Sequence, residues 1–472
     1  MPATDAFWRW SAVDLARAIA ARQISCREVV GSALQRLDAV NPRINAVVDV
    51  LADEALAIAD DADAKVARGD ALGPLHGVPV TVKINVDYAG RPTTVGVVAF
   101  KDDVVADDSP SVANLRRAGA IIIGRTNVPA FCARFFTDND LHGRTINPLA
   151  ADRTPGGSSG GAAAAVATGI GAIAHGTDRA GSIRYPAYAC GVVGLRPSFG
   201  RLPSYSANPS VEATMASQLM SVQGPLARTV ADVHLGLRAL NQPDARDPWW
   251  VPAPLPATLT ANAGLKIAVF EGGKDAVIDP VVKAAVGQAA RIFEQAGCQV
   301  EAAEPPHFAE AASIFFSLVK TEESDSTSMA IDRLGDAALR CARAGTMAGA
   351  TKFTLEQYVE ALGRRSALIR AWQRFMEAYD VLLLPVSYRL PFPIDEDQKG
   401  EAAVAALVAA QAPLLAVSTV GFPALAMPVG REDGLPIGVQ LVAGRFREDR
   451  CLQAAAMIEE HYGPCAPVDP SA

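Results

Sequence analysis

The chain has 472 residues, 50% hydrophobic and 20% charged, which is globular composition and excludes disorder as a global description. Its 43 Lys and Arg against 51 Asp and Glu give a net charge of −8, which does not favour nucleic acid or an anionic membrane as main partner. Seven cysteines at wide spacing, with no CxxC, argue against a zinc ribbon or a disulfide framework and for reduced thiols in a cytoplasm.

MPATDAFWRW has an early Asp5 and no apolar core, so no signal peptide is predicted. Ser11 and then Ser25 precede two helical patterns, the second ended at Asn41-Pro42. Ala46 to Ala67 is rich in Ala and Asp and reads as a third helix. The pattern then changes: Val78, Val80 and Val82 alternate with Pro79, Thr81 and Lys83, as in a strand. Lys83 therefore lies on the face opposite the valines.

A helix over 111–118 and a buried strand at Ala120–Gly124 follow. Next come the glycine-rich block 153–161 and an alanine-rich helix. Five prolines between Asn241 and Leu259 predict an extended crossing segment, either between two lobes or over one large domain. A strand at 265–270, a helix at 279–296 and a strand at 298–302 complete an α/β alternation. The apolar stretches 162–174 and 402–429 are broken by Gly, Pro, Thr or Gln, so both read as buried elements and no membrane span is expected.

Three positions draw attention for chemistry. Gly156-Gly157-Ser158-Ser159-Gly160 matches the G-x-S-x-G nucleophile elbow. That motif needs a strand before it and a histidine later, for which His175, His234, His307 and His461 are available, yet Arg153-Thr154-Pro155 reads as loop. A second serine, Ser182, follows small residues in GTDRAGSIRYPA at 176–187, where backbone N–H groups can approach a ligand and form an oxyanion hole. Lys83 is a third candidate. A free lysine is a poor base at neutral pH, but burial disfavours its charged form.

Lys83, GGSSGG at 156–161 and GTDRAGSIRYPA at 176–187 together resemble the amidase signature family, whose order and spacing they share: 75 residues from Lys83 to Ser158, then 24 to Ser182. HGVPVTVKINVDYAG, RTNVPAFC, HGRTINP, CGVVGLRPSFGRLP and GFPALAMPVG extend the resemblance from about residue 10 to about residue 460. The resemblance implies one large domain over 1–472, with a mixed central β-sheet covered by helices on both faces and the catalytic core within 76–203. It also implies a Ser–cis-Ser–Lys hydrolase. Ser182 would be the nucleophile, Ser158 the bridging serine after a cis peptide, and Lys83 the neutral base. The backbone N–H groups of Arg179, Ala180, Gly181 and Ser182 would hold the oxyanion before water releases an acyl-enzyme.

Asp178 and Arg184 bracket the nucleophile and are expected to pair with other groups and hold its loop rigid. Two residues depart from the family pattern: Ala180 stands where glycine is usual, and Ile84 where an acidic residue follows the lysine. Loss of that acid favours a neutral Lys83.

The expected substrate is a small-molecule aryl or aliphatic amide, with esters and carbamates open to the same acyl chemistry. Phe131 to Leu141, Tyr185, Phe315-Phe316 and Tyr388 to Phe392 are the candidate pocket residues, although the aromatic ones serve equally well as core. A glutaminase subunit of an amidotransferase and an inactive relative acting as a binding protein are the alternatives. No cofactor or metal site is read: the six histidines lie far apart and Gly272-Gly273-Lys274 lacks the rest of a phosphate loop. Family members are often dimers, so a homodimer is implied by resemblance alone.

Overall fold

A computed structural model describes residues 6–207, 212–259, 264–323 and 325–471. Residues 1–5, with the Asp5 used in reading the N-terminus, and residue 472 lie outside the described residues.

Among the described residues one sheet takes eleven strands. They are β1 (Val47–Val50), β2 (Pro79–Lys83), β3 (Ile121–Thr126), β4 (Ile173–Asp178), β5 (Val193–Arg196), β6 (Val222–Ala227), β7 (Lys266–Val269), β8 (Gln299–Ala302), β9 (Val381–Pro385), β10 (Ala424–Glu432) and β11 (Leu435–Val442). Their order is β1-β3-β2-β4-β6-β5-β10-β11-β9-β7-β8. Two parallel groups, β3-β2-β4 and β9-β7-β8, flank an antiparallel centre. This is the α/β alternation read from the sequence, in the mixed sheet that the resemblance implies.

The helical starts follow the capping rule. Ser11 accepts from the Asp14 N–H, and Ser25 with Glu28 forms a reciprocal capping box at the start of Cys26–Ile44. That helix passes through Pro42 instead of ending there, because only the last turn loses a donor and Asn45 closes the helix in the left-handed region. The helix read over 46–67 is also corrected. Val47–Val50 pairs with β3 as an edge strand, and the helix begins at Ala52. Three of those four residues are valine, and their β-branched side chains suit a strand beside an open sheet edge better than the helix that follows.

The first apolar stretch packs wholly inside the protein and the second only in part, since Ala402, Ala405, Ala406 and Ala409 are exposed. Gly160–Thr168 is a helix buried at every residue, leading into β4. Glu401–Ala410 and Ala412–Val420 are two helices bent by 61° at Gln411, and β10 follows. No single helix among the described residues is long and apolar enough to cross a membrane; that bent pair passes by length and composition only. The second helix of the pair is buried at Pro413 through Val420. Segment 241–259 carries no helix or strand, and Leu255 and Leu259 anchor it on the core.

Candidate active site

β2 and β4 run parallel and adjacent, so their C-terminal ends open on one side of the sheet. Lys83 closes β2, and Thr177 and Asp178 close β4. Ser158 and Ser159 precede the buried helix Gly160–Thr168, and Ser182 lies in the turn between β4 and the helix Arg184–Cys190. Three separated motifs thus meet at one sheet end.

Lys83 is fully buried. Its Nζ donates to Ser158 Oγ at 2.7 Å and to Thr177 Oγ1 at 2.7 Å. Burial pulls its pKa down to about 8; nearby Cys132 and Asp178 oppose that shift and the Arg179 charge adds to it. The Gly157–Ser158 peptide is cis. A Cβ on Gly157 would stand 2.4 Å from the Arg134 carbonyl oxygen, so the loop closes only around glycine.

Ser158 and Ser182 line the same cavity of about 380 Å³. The Ser159 N–H donates to the Ser182 carbonyl at 3.2 Å, tying the two serine loops together. Gly181 has φ 101°, and a Cβ there would meet Leu414 Cδ1 at 2.5 Å. Ala180 keeps a negative φ, so its departure from glycine needs no change of backbone. Buried Ile84 places no charge beside Lys83.

The oxyanion expectation is corrected at one position. The Gly181 N–H donates to Asp178 Oδ1 at 2.9 Å, so it is committed within the loop. The N–H groups of Arg179, Ala180 and Ser182 have no protein acceptor among the described residues. Asp178 and Arg184 do hold the loop, and they do so through each other. Arg184 Nε and Nη2 reach the two carboxylate oxygens at 3.0 Å each, and Arg196 Nη1 reaches Oδ1 at 3.1 Å. Burial alone would raise the Asp178 pKa, but Arg184 and Arg196 hold it well below the usual carboxylate range.

The elbow reading fails on geometry. Its serine follows a loop, and none of the four candidate histidines lines the cavity with Ser158. His175 is buried on β4 against Gln223, His234 bonds the Pro256 carbonyl, and His307 stands by Glu310. Gly272-Gly273-Lys274 is a loop after β7. Among the described residues no group of three His, Cys, Asp or Glu side chains could hold a metal.

Of the candidate pocket residues, Phe131, Phe135, Phe136, Phe315 and Phe316 line the cavity, while Tyr185, Tyr388 and Phe392 do not. Those three are core: Tyr185 packs on Phe392 at 5.0 Å, and its hydroxyl accepts from the Phe392 N–H. Thr177 and Asp397 escape the sequence reading, and Arg134 enters it only as part of the 131–141 stretch, without a role. Thr177 fixes Lys83, and its only signal is membership of the GTDRAGSIRYPA block. Arg134 and Asp397, 263 positions apart, form a two-pronged ion pair at 2.8 and 3.0 Å in the cavity wall. No spacing signal links residues so far apart.

The family model described as Amidase matches residues 28–452. An indoleacetamide hydrolase from Bradyrhizobium diazoefficiens is 44% identical over 97% of this chain and 88% of that protein. A glutamyl-tRNA(Gln) amidotransferase subunit from Acidothermus cellulolyticus is 33% identical over 96% and 94%. The crystal structure of a bacterial aryl acylamidase of the amidase signature family superposes with TM-score 0.79 at 26% identity, over 96% of each chain. With that match running through nearly the whole sheet and both serine loops, the chain belongs to the amidase signature family and is a hydrolase of amide C–N bonds.

Proposed function

We propose that the protein hydrolyses primary amides of arylacetic type, with Ser182 as nucleophile, Ser158 as proton bridge and Lys83 as base. The observation that carries the assignment of roles is Lys83, wholly buried, 2.7 Å from the Oγ of Ser158, which shares a cavity wall with Ser182. A pKa near 8 leaves a usable neutral fraction at physiological pH.

In this reading neutral Lys83 takes a proton from Ser158, which takes one from Ser182. The Ser182 Oγ bonds to the amide carbon, and the carbonyl oxygen gains negative charge facing the free N–H groups of Arg179, Ala180 and Ser182. Collapse breaks the C–N bond. The proton returns through Ser158 to the leaving nitrogen, giving ammonia and an ester on Ser182. Water, deprotonated along the same route, releases the acid.

The aryl preference is supported by five phenylalanines in the cavity wall and by the relative whose name is indoleacetamide hydrolase. The amidotransferase reading has the weaker likeness, and an aromatic wall does not suit glutamine. We also propose one domain, supported by the unbroken sheet that spans the 241–259 segment, and a cytoplasmic site, supported by seven free thiols. Ammonia release from indole-3-acetamide and phenylacetamide tests the function. The expected result is turnover that falls by about 10³-fold or more in Ser182→Ala. Turnover that survives this change overturns the role of Ser182.

A further inference from the structure

We infer that the Arg179 side chain makes the cavity a carboxylate-binding site, so that an acid binds there more tightly than the uncharged amide or ketone of the same shape. Among the described residues, the charged side chains of the cavity wall are Arg134, Arg179, Arg343, Glu323 and Asp397, three cations against two anions. Two of the cations are matched. Arg134 forks onto Asp397, and Arg343 reaches Glu323 at 2.5 Å.

Arg179 is the surplus. Its Nη1 donates to Ser217 Oγ at 2.9 Å, a neutral partner, and among the described residues no carboxylate stands within ion-pair distance. Glu322 and Glu323 lie close enough to act on its charge, but both are engaged elsewhere. Glu322 accepts from the Ala216 N–H and the Tyr358 hydroxyl, and Glu323 takes Arg343. Guanidinium has five N–H donors in a planar fork. Those that Ser217 leaves over are not sealed in protein, and the residue borders the cavity.

A cation drawn largely out of water without a counter-charge is costly, and a bound carboxylate supplies the missing charge with bidentate geometry. A neutral amide offers only an ordinary acceptor, whereas charge-assisted bonds are roughly twice as strong. Two sources of carboxylate fit. One is the acid released by the proposed reaction, which would then be a competitive product inhibitor; the other is a substrate whose amide carries a separate carboxylate. Both sources rest on the proposed function, whereas acid binding itself does not.

The test is calorimetric titration of the full protein with phenylacetate and with phenylacetone, its uncharged isostere. The expected result is a preference for the acid of about tenfold or more, lost in Arg179→Met and partly kept in Arg179→Lys. Equal binding of the two probes by the native protein overturns the inference, whether or not the variants fold. So does a preference that Arg179→Met retains. A second arm compares kcat/KM for 4-(carbamoylmethyl)benzoate and phenylacetamide. A preference for the charged amide that needs Arg179 assigns the carboxylate to the substrate, and acid binding without that preference assigns it to the product. Arg179-dependent acid binding with no turnover of any amide would overturn the hydrolytic reading and leave this inference standing. Turnover with no acid preference would do the reverse.

Discussion

Arg184 closes on Asp178 from the side of the helix, Nε to Oδ2 and Nη2 to Oδ1, each at 3.0 Å, while the same carboxylate takes the Gly181 N–H at 2.9 Å. Both side chains are wholly buried. The turn that carries Ser182 is therefore set by an ion pair six residues wide, and Arg196 on β5 fastens it to the next part of the sheet.

Removing one partner leaves a buried charge without its match. Arg184→Met is expected to destabilise the protein by about 3–5 kcal/mol. Urea unfolding followed by circular dichroism measures this, and activity should fall with it because the nucleophile loop loses its frame.

The pH profile follows from Lys83. Burial lowers its pKa to about 8, and the base must be neutral to act. Protonation thus removes activity on the acid side: kcat/KM should rise with pH, bend near 8 and level off above it. Below the bend it should drop about tenfold per pH unit. Initial rates of phenylacetamide hydrolysis from pH 6 to 9.5 measure the profile. A flat rate across that range would exclude a titrating lysine.

Arg134 and Asp397 form a second buried pair, here in the cavity wall. Arg134→Met alone should cost about 3–5 kcal/mol, and the double change Arg134→Met with Asp397→Leu should recover most of it. Thermal melts of the three proteins decide this.

Gly181 has room for no side chain. Gly181→Ala puts a methyl group at φ 101° against Leu414, and strain of about 1–3 kcal/mol is expected at such a position. Relief by turning the loop would displace Ser182, so kcat should fall by more than KM changes. Steady-state kinetics on the folded variant separates the two.

How much of the molecule is legible in its sequence depends on how local each signal is. Lys83, Ser158 and Ser182 stand in motifs of fifteen residues or fewer, and the structure brings all three to one sheet end. Strands β2 and β3 are legible because Val78–Val82 alternate and Ala120–Gly124 is a short apolar run. Val47–Val50 is read wrongly as helix because its valine signal is only four residues long beside an Ala- and Asp-rich run, and its partner β3 lies about 75 positions away. Gly181 is assigned to the oxyanion because the motif gives its place but not the direction of its N–H. Arg134 with Asp397 is a product of tertiary folding and leaves no trace in either segment.

In the proposed mechanism Ser182 is the activated nucleophile. Labelling the protein with a fluorophosphonate and mapping the adduct by peptide mass spectrometry tests it. The adduct should lie on Ser182 and vanish in Lys83→Met, since the serine is activated only through Ser158 and a neutral lysine. An adduct on Ser158 alone, or one on Ser182 that forms as fast without Lys83, would contradict it.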